Sequence, residues 1–462
     1  MALKHLIVVV PGIGGSNLTS TDGRLLWGHS LGNTAITAFR PEPLAMDETV
    51  VPTGLLRVPG VAPWSAFASY DALIRNFKGR LRLSDGAVTV ARADGVPNPG
   101  ASVIEFPYDF RQPMADSAER LQRVIDSVRG DRRVVIVAHS MGGLVARWWW
   151  GVLGGHRVCD GLITVGTPHR GAPKALDWLL NGVRLGSGPL ESITRSAFSD
   201  ATDTLHTWPS MYELLPRYRA VQIAERQVYP HEITYPSESF RDLAREAYNA
   251  HLQLEGACQE AADESPESSF LAFYGSGHAT PSYATSTGGR ITMSKEDPPW
   301  FDTQGWEGGD GTVPAMSATP VDRADQVNER RWLPQHHLKL AAAKEVAAQV
   351  AQFEQASLGA VRGNTIPTDP WIGLDYDEVV AAGVPNKIGF RLNGSPIDGV
   401  TPQATINQAG RAVRLEVERA DDGWLAAVPP LGPGSYDFTI NLNHVDKVDR
   451  VTTTSVLGVI EP

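Results

Sequence analysis

The run Val134-Val135-Ile136-Val137-Ala138-His139-Ser140-Met141-Gly142-Gly143-Leu144 constrains this chain more than any other stretch. Its unbroken, largely β-branched apolar opening reads as a strand buried on both faces, as in a parallel sheet. A serine among small residues follows, and then a helix-forming run. So sharp a turn strains the serine backbone and admits only small neighbours. The pattern predicts a nucleophile elbow with Ser140 at its tip and Ala138 where glycine is usual. Its rival is a plain strand-to-helix turn carrying an inert serine.

A serine hydroxyl becomes a useful nucleophile only when a histidine takes its proton, and that histidine needs an acid to hold its tautomer. In hydrolases built around such an elbow the chain order is serine, acid, histidine, the last two on loops after late strands. Asp310, in Gly308-Gly309-Asp310-Gly311-Thr312-Val313-Pro314, and the pair His336-His337 stand in that order. Asp310 alone would be weak evidence, because Asp-Gly is a common turn pair. Asp302 is the rival acid. His337 is the expected base, with Leu340 and Val346 buried by the helix after it, and His336 stays open as the alternative. Adjacent histidines converge poorly on one ion, and no cysteine or third histidine lies nearby in sequence, so no metal is expected. No cofactor is expected either.

The first apolar run ends in Val10-Pro11-Gly12-Ile13-Gly14-Gly15-Ser16-Asn17-Leu18. A Gly-rich loop after an early strand is where such hydrolases find a backbone N–H for the developing oxyanion. Ile13 is the candidate donor there, and Met141, just after the serine, supplies the other. The rival phosphate loop lacks a Gly-Lys-Ser/Thr ending and the dinucleotide spacing.

Further along, residues 66–80 show helical periodicity in Phe67, Tyr70, Leu73, Ile74 and Phe77, and residues 114–129 in Leu121, Val124, Ile125 and Val128. Asp109 and Arg111 are expected to pair at a strand end and shape the pocket wall, or else to form an exposed turn pair worth little. Trp148-Trp149-Trp150 should point in different directions, at least one into the core and one towards the pocket or a lipid surface. Leu162 to Pro168 gives the next parallel strand. From about residue 171 to 268 come short helical patches, proline breaks and aromatic side chains, the text of a cap or lid over an apolar acyl pocket. Phe270 to Gly275 resumes the core. A polar strand over 326–333 and a helix over 340–353 close it.

A chain of 462 residues exceeds one ordinary core. We expect a catalytic domain over 1–356, a linker over 357–370 and an accessory domain over 371–462. In the last, period-two runs such as Ile388, Phe390 and Leu392 alternate with turns such as Asn393-Gly394, which predicts a β-sandwich. A net charge of −11 with interspersed signs argues against nucleic acid. Two cysteines, Cys159 and Cys258, exclude a disulfide framework and suit a reducing compartment. The run after Met1 ends in Pro11-Gly12 and reads as a core strand rather than a signal peptide. The expected setting is cytoplasmic.

Taken together, Val10 to Leu18, the second Val58-Pro59-Gly60, Pro107-Tyr108-Asp109-Phe110-Arg111, Ala138 to Gly143, Gly166 to Ala172, Tyr274-Gly275, Gly309 to Pro314 and the late His337-Leu338 resemble the lecithin:cholesterol acyltransferase family, over roughly residues 5–355. The resemblance implies an α/β-hydrolase fold with an inserted cap, and acyl-ester chemistry on lipids through an acyl-serine. It assigns Ser140 as nucleophile, Asp310 as acid, His337 as base, and the Ile13 and Met141 amides as oxyanion donors. The family's secreted members carry a signal peptide and a lid disulfide, and this sequence has neither pattern. The function expected is a serine esterase or lipase hydrolysing phospholipid or acylglycerol esters, with membrane or micelle contact through the cap. The alternatives are acyl transfer to an alcohol and, in another class, a non-catalytic scaffold. The sequence names no protein partner for the C-terminal domain.

Overall fold

Side chains of strand His5–Val10 divide between two cores, with Leu6, Val8 and Val10 packed on one side of the sheet and Ile7 and Val9 on the other. Strand Arg133–His139 does the same: Val134, Ile136 and Ala138 face one way, Val135 and Val137 the other. Both faces of these strands are therefore dry, which is why their sequences are continuously apolar rather than alternating. In this computed structural model, which describes residues 3–28, 44–62, 65–92, 97–185, 189–235, 237–287, 290–301, 308–355, 369–408 and 410–461, they are central strands of a seven-stranded sheet.

The order across that sheet is Arg330–Leu333, Ser269–Gly275, Cys159–Val165, Arg133–His139, His5–Val10, Val103–Glu105, Val88–Val90, and every neighbouring pair is parallel. Helices Asp71–Leu81 and Lys344–Gln355 cover one face. Helices Met114–Val128 and Gly142–Arg147 cover the other. This is the α/β-hydrolase architecture. Strand order reverses beside His5–Val10, and ligands of such sheets bind at the carboxyl ends of the strands near that reversal. The turns after Val10 and His139 leave side by side at this end, since Val10 pairs with Ala138.

Several local expectations shift. The helix expected over 66–80 begins only at Asp71, because Phe67 closes a short strand, Ser65–Phe67, paired with Gly60–Ala62. The polar strand is shorter than expected, Arg330–Leu333, and follows a single helical turn, Val327–Glu329. The closing helix starts at Lys344, after a separate short helix His337–Leu340. Trp148, Trp149 and Trp150 do not diverge to different environments, and all three are buried. A π-helical turn, Trp148–Val152, carries them, and helix Glu238–Glu264 closes over it with Cys258 tight against Gly151. Arg111 does pair with Asp109 through two nitrogens, each 2.9 Å from a carboxylate oxygen. The same guanidinium holds the carbonyls of Ala45 and Glu48, so the pair braces that segment and does not line the cavity at Ser140.

Residues 171–268 leave the sheet between two adjacent strands and form helices and a hairpin. The hairpin does not stand alone: Val221–Ile223 pairs with Tyr283–Thr287, so the covering structure draws on the segment after Gly275 as well.

The C-terminal residues form an eight-stranded sheet bent about Arg411–Ala420. The first half of that strand pairs with Thr401–Gln408 and its second half with Gly423–Val428. The two halves enclose Phe390, Trp424, Phe438 and Ile440, a β-sandwich with its own core. It docks on the hydrolase domain through the Leu374 amide, 3.0 Å from His278 Nδ1, the Leu374 carbonyl, 2.9 Å from the Ala279 amide, and Trp371 edge-on to Trp332. The expected linker lies mostly outside the described residues.

Candidate active site

Ser140 has φ of 52°, a left-handed conformation that a non-glycine residue adopts at a cost. Its amide is held by the Val165 carbonyl at 2.8 Å, so the neighbouring strand fixes the strained turn. The Pro11-Gly12 loop presses against it from the other side. A Cβ added to Gly12 would lie 2.7 Å from the Ser140 Cβ, an approach only glycine permits.

His337 Nε2 is 3.1 Å from Ser140 Oγ, and His337 Nδ1 is 2.7 Å from Asp310 Oδ2. With the proton on Nδ1 donated to Asp310, Nε2 is left to accept the serine O–H. Asp310 Oδ1 accepts the amides of Thr312 and Val313 at 3.0 and 2.7 Å. Burial would push the Asp310 carboxyl up, but His337 and these donors overcome it and hold the group below its ordinary range. Asp310 and His337 are also joined along the backbone, His337 N to Asp310 O at 2.8 Å. Gly166, at φ 58°, packs on the bond between them.

His336 turns away, with its ring against Gly311 and 4.0 Å from Glu378 Oε1. Burial pulls its pKa down to about 4. Of the two histidines, only His337 is hydrogen-bonded to Ser140 and Asp310. Asp302 lies outside the described residues.

The sequence reading missed a second network. Tyr70, taken there as one more apolar helix position, accepts the Gly12 amide through its hydroxyl at 2.7 Å. That hydroxyl lies 2.9 Å from His139 Nδ1, and His139 Nε2 lies 3.3 Å from the His337 carbonyl. One set of proton positions satisfies every contact: Tyr70 donates to Nδ1, and Nε2–H donates to His337. Burial, with His337 nearby, lowers the His139 pKa to about 3 and keeps it neutral, as that arrangement requires. Among the described residues no protein acceptor takes the Ile13 or Met141 amide.

A cavity of about 50 Å³ opens over Ser140, walled by Ile13, Phe67, Trp178, Leu214, Val313 and Leu338. It shares Ser65, Lys174 and Trp178 with a larger polar chamber of about 430 Å³ between the cap and the C-terminal domain. Among the described residues no cluster of histidine, cysteine, aspartate or glutamate could hold a metal ion. Cys159 and Cys258 are both free and buried.

Fold and site together define an α/β-hydrolase in which a serine, a histidine and an aspartate meet at the carboxyl ends of parallel strands. Residues 95–267 match the family model described as Lecithin:cholesterol acyltransferase, and over that stretch the chain is similar to this family. "Lecithin-cholesterol acyltransferase-like 4" of Arabidopsis thaliana is 28% identical over 124 residues, covering 25% of this chain and 23% of that protein, so the likeness spans about a quarter of either. Among solved structures, Bacillus licheniformis lipase BlEst2 in its propeptide form matches with TM-score 0.29 and 12% identity over 77% of this chain and 86% of that one. The mature form gives 0.26 and 14% over 54% and 78%. The family match contains Ser140 and most of the cap, while Asp310 and His337 lie beyond it.

Proposed function

We propose that this protein is a serine esterase that hydrolyses acyl esters of lipids through an acyl-serine intermediate. The observation that carries the reading is the hydrogen-bonded chain from Ser140 Oγ through His337 to Asp310. In this mechanism His337 Nε2 takes the Ser140 proton as Oγ attacks the acyl carbonyl. The Ile13 and Met141 amides receive the negative charge on the carbonyl oxygen. Collapse breaks the ester C–O bond, and His337 returns the proton to the leaving alcohol. Water, activated by the same imidazole, then attacks the acyl-serine, releases the acid and restores Ser140. Throughout, Asp310 keeps His337 in one tautomer and stabilises the imidazolium.

An alcohol in place of water would make the same intermediate a donor for acyl transfer, and the match to an acyltransferase family keeps that branch in view. The narrow cavity over Ser140 favours a second substrate reading, a small soluble ester. Lipid contact would use the cap, where Ile193 on helix Pro189–Ala197 is 63% exposed. Among the described residues no helix is long and apolar enough to cross a membrane. We place the protein, with its two free thiols, in the cytoplasm.

The test is to treat the protein with a fluorophosphonate, and then to incubate it with mixed phospholipids and acylglycerols, with and without a long-chain alcohol. Labelling of Ser140 and release of free fatty acid, both lost in Ser140→Ala, are expected. New esters of the alcohol would move the assignment to acyl transfer. No labelling, with partner binding that survives Ser140→Ala, would make the protein a scaffold. A nitrophenyl ester series whose rate falls with chain length would favour the small-ester reading.

A further inference from the structure

Glu378 belongs to the C-terminal β domain, in the connection between strands Trp371–Asp375 and Val379–Ala381. Its side chain does not join that domain's core. It reaches into the hydrolase domain and is itself only 6% exposed. There Oε1 accepts the Thr312 hydroxyl at 3.0 Å. Oε2 accepts the Ser65 hydroxyl at 3.1 Å and pairs with the Lys174 ammonium. These partners come from separate parts of the chain: a strand beside the oxyanion loop, the first turn of a cap helix, and the loop bearing Asp310. Each lines the cavity over Ser140. Thr312, besides, donates its amide to Asp310 Oδ1 at 3.0 Å.

A buried carboxylate is costly unless every partner is in place. Burial pushes this one up, yet Lys174 and the nearby imidazoles hold it below its ordinary range. A charge that only glued two domains together would more simply be an apolar contact, as Trp371 on Trp332 already provides at the same interface.

We propose that Glu378 is a positioning residue of the Ser140 site: through Thr312 it fixes the loop that presents Asp310, and through Ser65 and Lys174 it ties that loop to the oxyanion side and the cap. The hydrolase domain by itself thus lacks one support of its own active site. This inference rests on the serine-esterase reading above.

The experiment compares wild type, Glu378→Gln and Asp375→Asn in the full chain. Its readouts are the rate of fluorophosphonate labelling at Ser140, kcat and KM for a short nitrophenyl ester, and the melting temperature. The glutamine keeps the shape but cannot satisfy two hydroxyls and an ammonium at once. It is expected to lower kcat and the labelling rate in parallel by about tenfold or more, with KM little changed, as for a small misplacement of catalytic groups. Asp375→Asn breaks an exposed ion pair with Lys295 at the same interface and should leave both rates at wild-type values. Unchanged kcat in folded Glu378→Gln, or an equal loss in Asp375→Asn, would overturn the proposal. If Glu378→Gln does not fold, Thr312→Val decides: a similar fall in kcat supports the proposal and an unchanged kcat overturns it. A wild type that fails to label removes the esterase reading and this inference with it.

Discussion

The Tyr70 hydroxyl stands 2.9 Å from Nδ1 of His139 while accepting the Gly12 amide at 2.7 Å, so one phenol joins the Gly12-Ile13 loop to the residue that precedes Ser140. His139 carries the connection on to the His337 carbonyl. The oxyanion side and the base side of the proposed mechanism are thereby locked to a common frame.

Removing that hydroxyl alone should loosen the frame. Tyr70→Phe leaves the Gly12 N–H and His139 Nδ1 buried without a partner, at a cost of about 1–3 kcal/mol for such a group. We expect a lower melting temperature and a fall in kcat of about tenfold, a part of what one lost oxyanion donor costs, with KM for a short ester nearly constant. A destabilised variant with full kcat would show that the network serves folding alone.

Gly166 makes a sharper test of the Asp310–His337 contact. A Cβ there would sit 3.1 Å from both Asp310 Oδ2 and His337 Nδ1, on a backbone at φ 58°. Gly166→Ala should keep the fold but push the two groups apart, lowering kcat by at least about tenfold. The pH–rate profile should shift too, because the imidazole loses part of its carboxylate support. Wild-type kinetics would mean that the pair tolerates displacement.

How much of this was legible from sequence depends on the range of the interaction. Ser140, its small neighbours and the alternating packing of Val134 to Ala138 follow from local sterics, and so they can be read along the chain. The His336–His337 pair could not be resolved that way, because both sit at one turn and only the position of Asp310 distinguishes them. Tyr70 looked like a helix-face residue since its period fits, although the strand that holds Phe67 ends just before it. Nothing near Glu378 in sequence marks it: its partners Ser65, Lys174 and Thr312 are far along the chain, and the domain that bears it otherwise reads as plain alternating strands. The tryptophan run was misleading for a related reason. A π-helical turn and a cap helix from a hundred residues away decide its burial.

Glu213 gives a pH signature of stability. Its Oε2 accepts the Met114 amide at 2.8 Å. Burial pushes its carboxyl up to about 8, the Met114 bond pulling against this and Asp116 and Glu246 adding to it. A carboxyl raised on folding binds its proton more tightly in the native state than in the unfolded one. Its penalty is therefore absent below the ordinary value of 4.5 and grows as pH rises towards 8. Glu213→Gln, with no proton to lose, should melt higher than wild type at pH 8, and the gap should close as pH falls below 4.5. An equal gap at both ends of that range would exclude this linkage.

If the cap meets lipid, Ile193 should matter only there. Ile193→Glu is expected to reduce hydrolysis of esters in anionic-lipid-free vesicles by about tenfold, the scale of one apolar side chain withheld from burial. Its rate on a water-soluble nitrophenyl ester should stay at the wild-type value. Equal rates on vesicles would remove this helix from the lipid-facing surface.

The segment from Leu374 to Glu378 also sets an order of events during synthesis. The elbow around Ser140 is made before the loops bearing Asp310 and His337 and can form with the strands made before and just after it. Those loops follow, but their brace is made later still, and the sandwich that carries it can close only after the strand Val448–Ile460 has been added. A nascent chain thus holds its nucleophile before the relay is braced, and the proposed esterase activity would mature only once the strand Val448–Ile460 has been made.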